Sequence, residues 1–241
     1  MLPLLGVGLS YWLALLVAGA NPQPAPQVQT VRLEGAQFVV VDAPPRVHAP
    51  EVVRVRVLVE AEHAEHAEAF ATVVEDTLSD PDGWAAAGYE FAVVTEDADI
   101  TVVLARPATT DRLCAPLHTG GTFSCGRHGR AVVNARRWLH GAATYRGRLA
   151  EYRTYVVNHE VGHLLGFDHH RCEGARRSAP VMLQQTKTLG RCRANPKPNA
   201  RELAALAARP HRFGRGDAPA TAPAPAFAAA VPARDVSRAE P

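Results

Sequence analysis

An α+β fold in one domain follows from three stretches of this sequence. Glu51 to Glu60 alternates, so that Val53, Val55, Val57 and Val59 share one face, the period of a half-buried strand. From about Ala64 to Leu78, Phe70, Val73, Val74 and Leu78 form one apolar stripe at helical spacing. A second helix, beginning near Gly147 or Arg148, is apolar around most of its circumference. Leu149, Tyr152, Val156, Val157, Val161, Leu164 and Leu165 give it the character of a helix that crosses the core.

The remaining elements fall into place around these. Residues 2–20 are uncharged and apolar and end Ala18-Gly19-Ala20, a small-x-small cleavage pattern. No Lys or Arg precedes them, and their length also suits a membrane anchor, so a signal peptide and an anchor both stay open. Either puts the domain outside the cytoplasm, secreted or on the extracellular face of the envelope. Residues 21–50, with prolines at 22, 24, 26, 44, 45 and 50, read as an extended linker or short edge segment. The domain is expected over 51–210. After the break at Pro81-Asp82-Gly83, strands are expected over 89–94 and 100–106. The acidic turn between them, Glu96 to Asp99, lacks EF-hand spacing and reads as solvated. Residues 107–130 look like loop. Ala131 to Asn134 is a short strand, expected to be the substrate-side edge, where an extended peptide could add by backbone pairing. Asn199 caps a last helix over 200–209, stopped by Pro210, and 211–241 is Ala/Pro-rich and expected to be disordered.

Composition narrows the partners. Without leader and tail, about 150 to 165 residues remain, enough for one substantial core. The net charge of +2 gives no reason to expect nucleic acid. Arg171 to Arg193 is basic and reads as a solvated loop. The four cysteines, Cys114, Cys125, Cys172 and Cys192, allow three connectivities; closeness in sequence favours Cys114–Cys125 and Cys172–Cys192. The second pair would close a loop containing Met182.

Chemistry concentrates in Asn158-His159-Glu160-Val161-Gly162-His163-Leu164-Leu165-Gly166-Phe167-Asp168-His169-His170. Residues four apart share a helix face, so His159 and His163 can present imidazoles to one ion. Glu160 points about a quarter-turn away, beside the metal. Gly166 can take positive φ and turn the chain, which lets His169 approach from outside the helix. Three neutral imidazoles leave the fourth zinc position open, the layout of a catalytic site. His140, His170 and His211 are rival ligands, and spacing favours His169. His63 and His66 sit among glutamates on what reads as a solvated face.

This pattern, His-Glu-x-x-His-x-x-Gly-x-x-His, resembles that of the metzincin zinc peptidases. The resemblance implies a zincin-like domain: a small twisted mixed sheet packed on two main helices, with one catalytic Zn2+ on the second. It also implies a methionine turn beneath the metal, for which Met182 in Ala179-Pro180-Val181-Met182-Leu183 is placed. The motif is similar to that of the snapalysins, which have Asp where this chain has His169. Residues from about 50 to 198 resemble an uncharacterised family of secreted actinobacterial proteins, through Thr109-Thr110-Asp111-Arg112-Leu113-Cys114 and Pro180 to Thr186. Two departures stand out. Gln184 occupies the place where several metzincin groups have a tyrosine, and the N-terminal region lacks a zinc-blocking cysteine.

The expected function is a zinc endopeptidase acting on peptide or protein substrates as a monomer, with Glu160 as general base. Two alternatives keep the zinc: a cell-wall peptide or amide hydrolase, and a non-catalytic binding module. Asp168, His170 and backbone carbonyls are all candidates to orient the imidazoles.

Overall fold

A computed structural model describes residues 28–43, 52–210 and 213. The leader 2–20, most of the tail and His211 lie outside the described residues. The chain folds as α+β, with a mixed open sheet and five α-helices among the described residues.

The sheet begins earlier than expected. Strands β1 (Thr30–Leu33) and β2 (Ala36–Val40) form a hairpin inside the stretch read as linker. Leu33 pairs with Ala36, leaving Glu34 and Gly35 as a two-residue loop, both at positive φ. Such a loop matches the twist of its strands. Phe38 and Val40 are buried, so burial of alternate residues fixes the register.

β3 (Val53–Glu60) is the central strand. Its C-terminal end pairs antiparallel with β2 and its N-terminal end pairs parallel with β4 (Phe91–Val93). On its other edge lies β5 (Ile100–Ala105), parallel, then β7 (Arg130–Asn134), parallel, then β6 (Cys125–Arg127), antiparallel. The order β1-β2-β3-β5-β7-β6 makes β6 the outer strand. The expectation that residues 131–134 form the edge is therefore corrected. Cys-Gly-Arg is too short and too Gly-weakened to announce itself as a strand.

Both faces of the sheet are covered. Val53, Val55, Val57, Val59, Ile100, Val102 and Leu104 face helices α1 (Ala67–Ser79) and α4 (Leu149–Leu164) in the main core. The expected start of α1 near Ala64 falls in a 3-10 segment, Ala61–His66, that leads into it. Leu58, Val103 and Val132 face the opposite way, towards α2 (Pro107–Cys114). That helix replaces an expected loop. Its buried face is Thr109, Thr110, Leu113 and Cys114, so no apolar stripe marks it. Proline suits its first turn, and the buried carboxylate of Glu60 accepts from the Arg106 N–H at 2.6 Å and from Thr109 Oγ1 at 2.7 Å. Helix α3 (Ala135–His140) follows β7, capped by Asn134. The last helix, α5 (Ala200–Ala207), has a full capping box between Asn199 and Glu202.

Both disulfides pair as sequence closeness favours, Cys114–Cys125 and Cys172–Cys192. The first ties the end of α2 to the start of β6. Paired cysteines fit an oxidising compartment. Among the described residues no helix is long and apolar enough to cross a membrane. The Cys172–Cys192 bridge closes a 20-residue separation around Met182. Replacing both cysteines by serine is expected to cost about 3 kcal/mol by freeing the unfolded chain. A thermal unfolding midpoint unchanged by the double replacement would contradict this.

Candidate metal centre

Helix α4 carries the first two imidazoles. Its stop follows from Gly166, at φ +91°, with two bonds that define the cap. Gly166 N–H donates to His163 O at 3.0 Å and Phe167 N–H to Gly162 O at 3.0 Å, a Schellman arrangement. The reversal carries Phe167 back against Trp84, with ring centroids 5.2 Å apart, and brings His169 over the helix.

One ring nitrogen each from His159, His163 and His169 lies within 4.8 Å of the others. The three rings pack against one another: His159 and His163 are edge-on at 4.9 Å, and so are His163 and His169 at 4.7 Å. His159 and His169 lie nearly parallel at 5.4 Å. His159 is buried, His163 half-buried and His169 exposed.

Two of the tautomers are fixed by their partners. His159 Nδ1 lies 2.8 Å from Val181 O, and His163 Nδ1 lies 2.8 Å from Phe167 O. A carbonyl only accepts, so both Nδ1 atoms carry the proton and each Nε2 keeps its lone pair. Backbone carbonyls thus orient the imidazoles. Asp168 acts on His163 and His169 only through its charge, and His170 turns to Glu202. Burial, then the neighbouring His163, pushes His159 down to about 3. The same causes, joined by the charge of Lys187, bring His169 to about 4, and burial also lowers His163. All three are therefore neutral near pH 7, as metal ligands must be. This donor set fits a zinc ion: three neutral nitrogen donors grouped on one side of an open cleft.

Glu160 lines the same cleft, of about 270 Å³, and is nearly inaccessible. Burial pushes its carboxyl up to about 8. The other wall is β6, pressed close to α4. A Cβ built on Gly126 would lie 2.1 Å from the Glu160 carbonyl oxygen and 2.8 Å from His163 Cβ, so only glycine allows the approach. Beneath the helix lies Met182, fully buried; a Cβ on Gly162 would meet its sulfur at 2.4 Å.

Several cleft residues carried no signal in the motif. Tyr155 lines the cleft, with its ring 5.3 Å from that of His159. Its hydroxyl donates to Leu183 O at 3.0 Å and accepts from Gln185 N–H at 2.8 Å. It stands four residues before His159, so helical spacing could have found it. Gln184, His118 and Lys187 also line the cleft, the last with its ammonium 4.7 Å from the Phe123 ring centroid. The other basic residues of 171–193 are exposed, as a solvated loop would be.

Of the rival ligands, His140 is exposed at the end of α3. His63, Glu65 and His66 also bring donor atoms within 4.8 Å of one another. They lie on the 3-10 segment before α1, where Glu65, with a largely exposed side chain, is 3.4 Å from His66 and 3.9 Å from His63. That is the internal pairing of a solvated face.

No curated protein and no solved structure gives a significant match to this chain. Residues 29–199, from the hairpin to the cap of α5, match the family model described as "Protein of unknown function (DUF3152)". The chain belongs to that family.

Proposed function

We propose that this domain is a zinc-dependent endopeptidase with a metzincin-like centre, acting outside the cytoplasm. The observation that carries it is the convergence of His159, His163 and His169 on a cleft that Glu160 also lines. Met182 under the helix and the glycine reversal at Gly166 support the metzincin-like reading of the fold.

Zinc, when bound, supplies a Lewis acid that polarises a substrate carbonyl and lowers the pKa of a coordinated water towards about 7. The chain's own residues do the rest. His159, His163 and His169 hold the ion through ring nitrogens kept neutral by burial. Glu160 accepts a proton from the attacking water and returns it to the leaving amine; burial makes its carboxylate a stronger base than an exposed one, and the positive charge of bound zinc beside it would favour the ionised form that can accept. The outer strand β6 presents unpaired backbone alongside the cleft, where an extended peptide can align. The hydroxyl of Tyr155 is committed to Leu183 and Gln185, and residue 184 is glutamine, so no tyrosine is assigned to the oxyanion.

The test is a peptide-library digestion by the purified protein. Cleavage is expected, abolished by a chelator and restored by zinc. His169→Ala should lower zinc affinity at least about 100-fold, in keeping with loss of one of three ligands, while His140→Ala should leave it unchanged. Stoichiometric zinc without turnover on any peptide would replace the peptidase by a zinc-stabilised binding module.

A further inference from the structure

Glu202, on α5, is 1% exposed, and its carboxylate is fully engaged. Oε1 accepts from the Met182 N–H at 2.9 Å and lies 3.2 Å from His170 Nδ1. Oε2 accepts from the Val181 N–H at 3.0 Å and from the Asn199 N–H at 2.9 Å. A carboxylate has about four acceptor positions, and all are used. The Asn199 bond belongs to the helix cap, but the other three leave α5 altogether.

The Met182 N–H and the Val181 carbonyl belong to one peptide plane, in which the two groups point in opposite directions. Glu202 takes the N–H on one side, and His159 Nδ1 takes the carbonyl on the other, at 2.8 Å. Fixing one end of a rigid plane fixes the other. A negative charge on the N–H also polarises the amide and makes its carbonyl a better acceptor, which raises the basicity of the imidazole. The second route runs through His170, next in sequence to His169. Its ring meets Glu202, and its backbone N–H donates to Met182 O at 2.9 Å.

We infer that Glu202 is a positioning residue for the metal centre, acting on His159 through the Val181–Met182 peptide and on the His169 segment through His170. This role rests on the zinc reading of the three imidazoles. It makes α5 part of the site, although no residue of that helix lines the cleft.

The test compares zinc affinity, by competition with a chromophoric chelator, and the visible spectrum of the cobalt form. Glu202→Gln places amide hydrogens against backbone N–H groups that now find an acceptor. It is expected to weaken zinc binding about 10- to 100-fold and to shift the cobalt bands. Glu202→Asp keeps the charge but withdraws it by one methylene; if the glutamine variant does not fold, the same loss is expected of the aspartate. Leu206→Ala, fully buried in the same helix, separates positioning from stability. It should lower the unfolding midpoint yet bind zinc within about twofold of wild type at a temperature where both are folded. Equal zinc affinity in wild type and both Glu202 variants would overturn the role, as would an equal loss in Leu206→Ala. A wild type whose zinc binding does not depend on His159 would remove the metal centre itself, a different result from either.

Discussion

Glu160→Gln is expected to abolish measurable peptide hydrolysis while leaving zinc affinity within a few-fold of wild type. Glutamine keeps the shape of the side chain and cannot take a proton from water; general-base assistance is worth about 10²- to 10⁴-fold in rate. Zinc binding should be spared because the proposed centre assigns the ion to the imidazoles and not to the carboxylate. The same substitution has a second effect in the metal-free protein. A carboxyl raised from 4.5 to about 8 by burial stabilises the fold fully below 4.5, and that contribution is lost as pH rises through about 8. Over that range the unfolded chain has ionised while the buried group still holds its proton. Glutamine has no such titration. The stability of metal-free Glu160→Gln relative to wild type should therefore grow by roughly 3 kcal/mol between pH 4.5 and pH 7. Thermal unfolding across that range measures it; a constant difference would show that Glu160 is solvated.

Gly126→Ala is expected to disrupt the fold more than any other single methyl group added in β6. The added carbon would stand 2.1 Å from a backbone oxygen of α4, and neither partner can yield easily. The helix is packed on both sides, and Cys125, one residue away, is bonded to Cys114. Overpacking of this kind costs about 1–3 kcal/mol where side chains can move, and more where backbone must. Relief by lifting β6 off the helix would open the cleft beside Glu160 and His163, so zinc affinity or activity should suffer with stability. Gly174→Ala is the control: the nearest atoms are the flexible Arg177 side chain at 3.4 Å, and the unfolding midpoint should barely change. A Gly126→Ala protein as stable as wild type would contradict the close contact of strand and helix.

The convergence of His159, His163 and His169 was legible because its geometry is local. Four residues make a helical turn and a bit, and Gly166 reverses the chain, so eleven consecutive residues, 159–169, bring the three imidazoles together. The central strands were legible for the same reason, since alternation over Val53–Val59 reports one buried face. What hid was set by long-range contacts. α2 buries threonines because their hydroxyls find Glu60 and the Ala105 carbonyl, and a polar buried face leaves no hydrophobic period. The β1–β2 hairpin was masked by flanking prolines, although Glu34-Gly35 is a two-residue turn. Glu202 is readable as half of a capping box, but its bonds to Val181 and Met182 cross twenty residues that only the folded chain brings together.

Zinc K-edge X-ray absorption on the purified, zinc-loaded protein tests the centre most directly. Three imidazole nitrogens and one non-imidazole oxygen donor are expected at about 2.0–2.1 Å, falling to two imidazoles in His169→Ala. A zinc shell with sulfur, with fewer than three imidazoles in the wild type, or unchanged by the His169 substitution would contradict it.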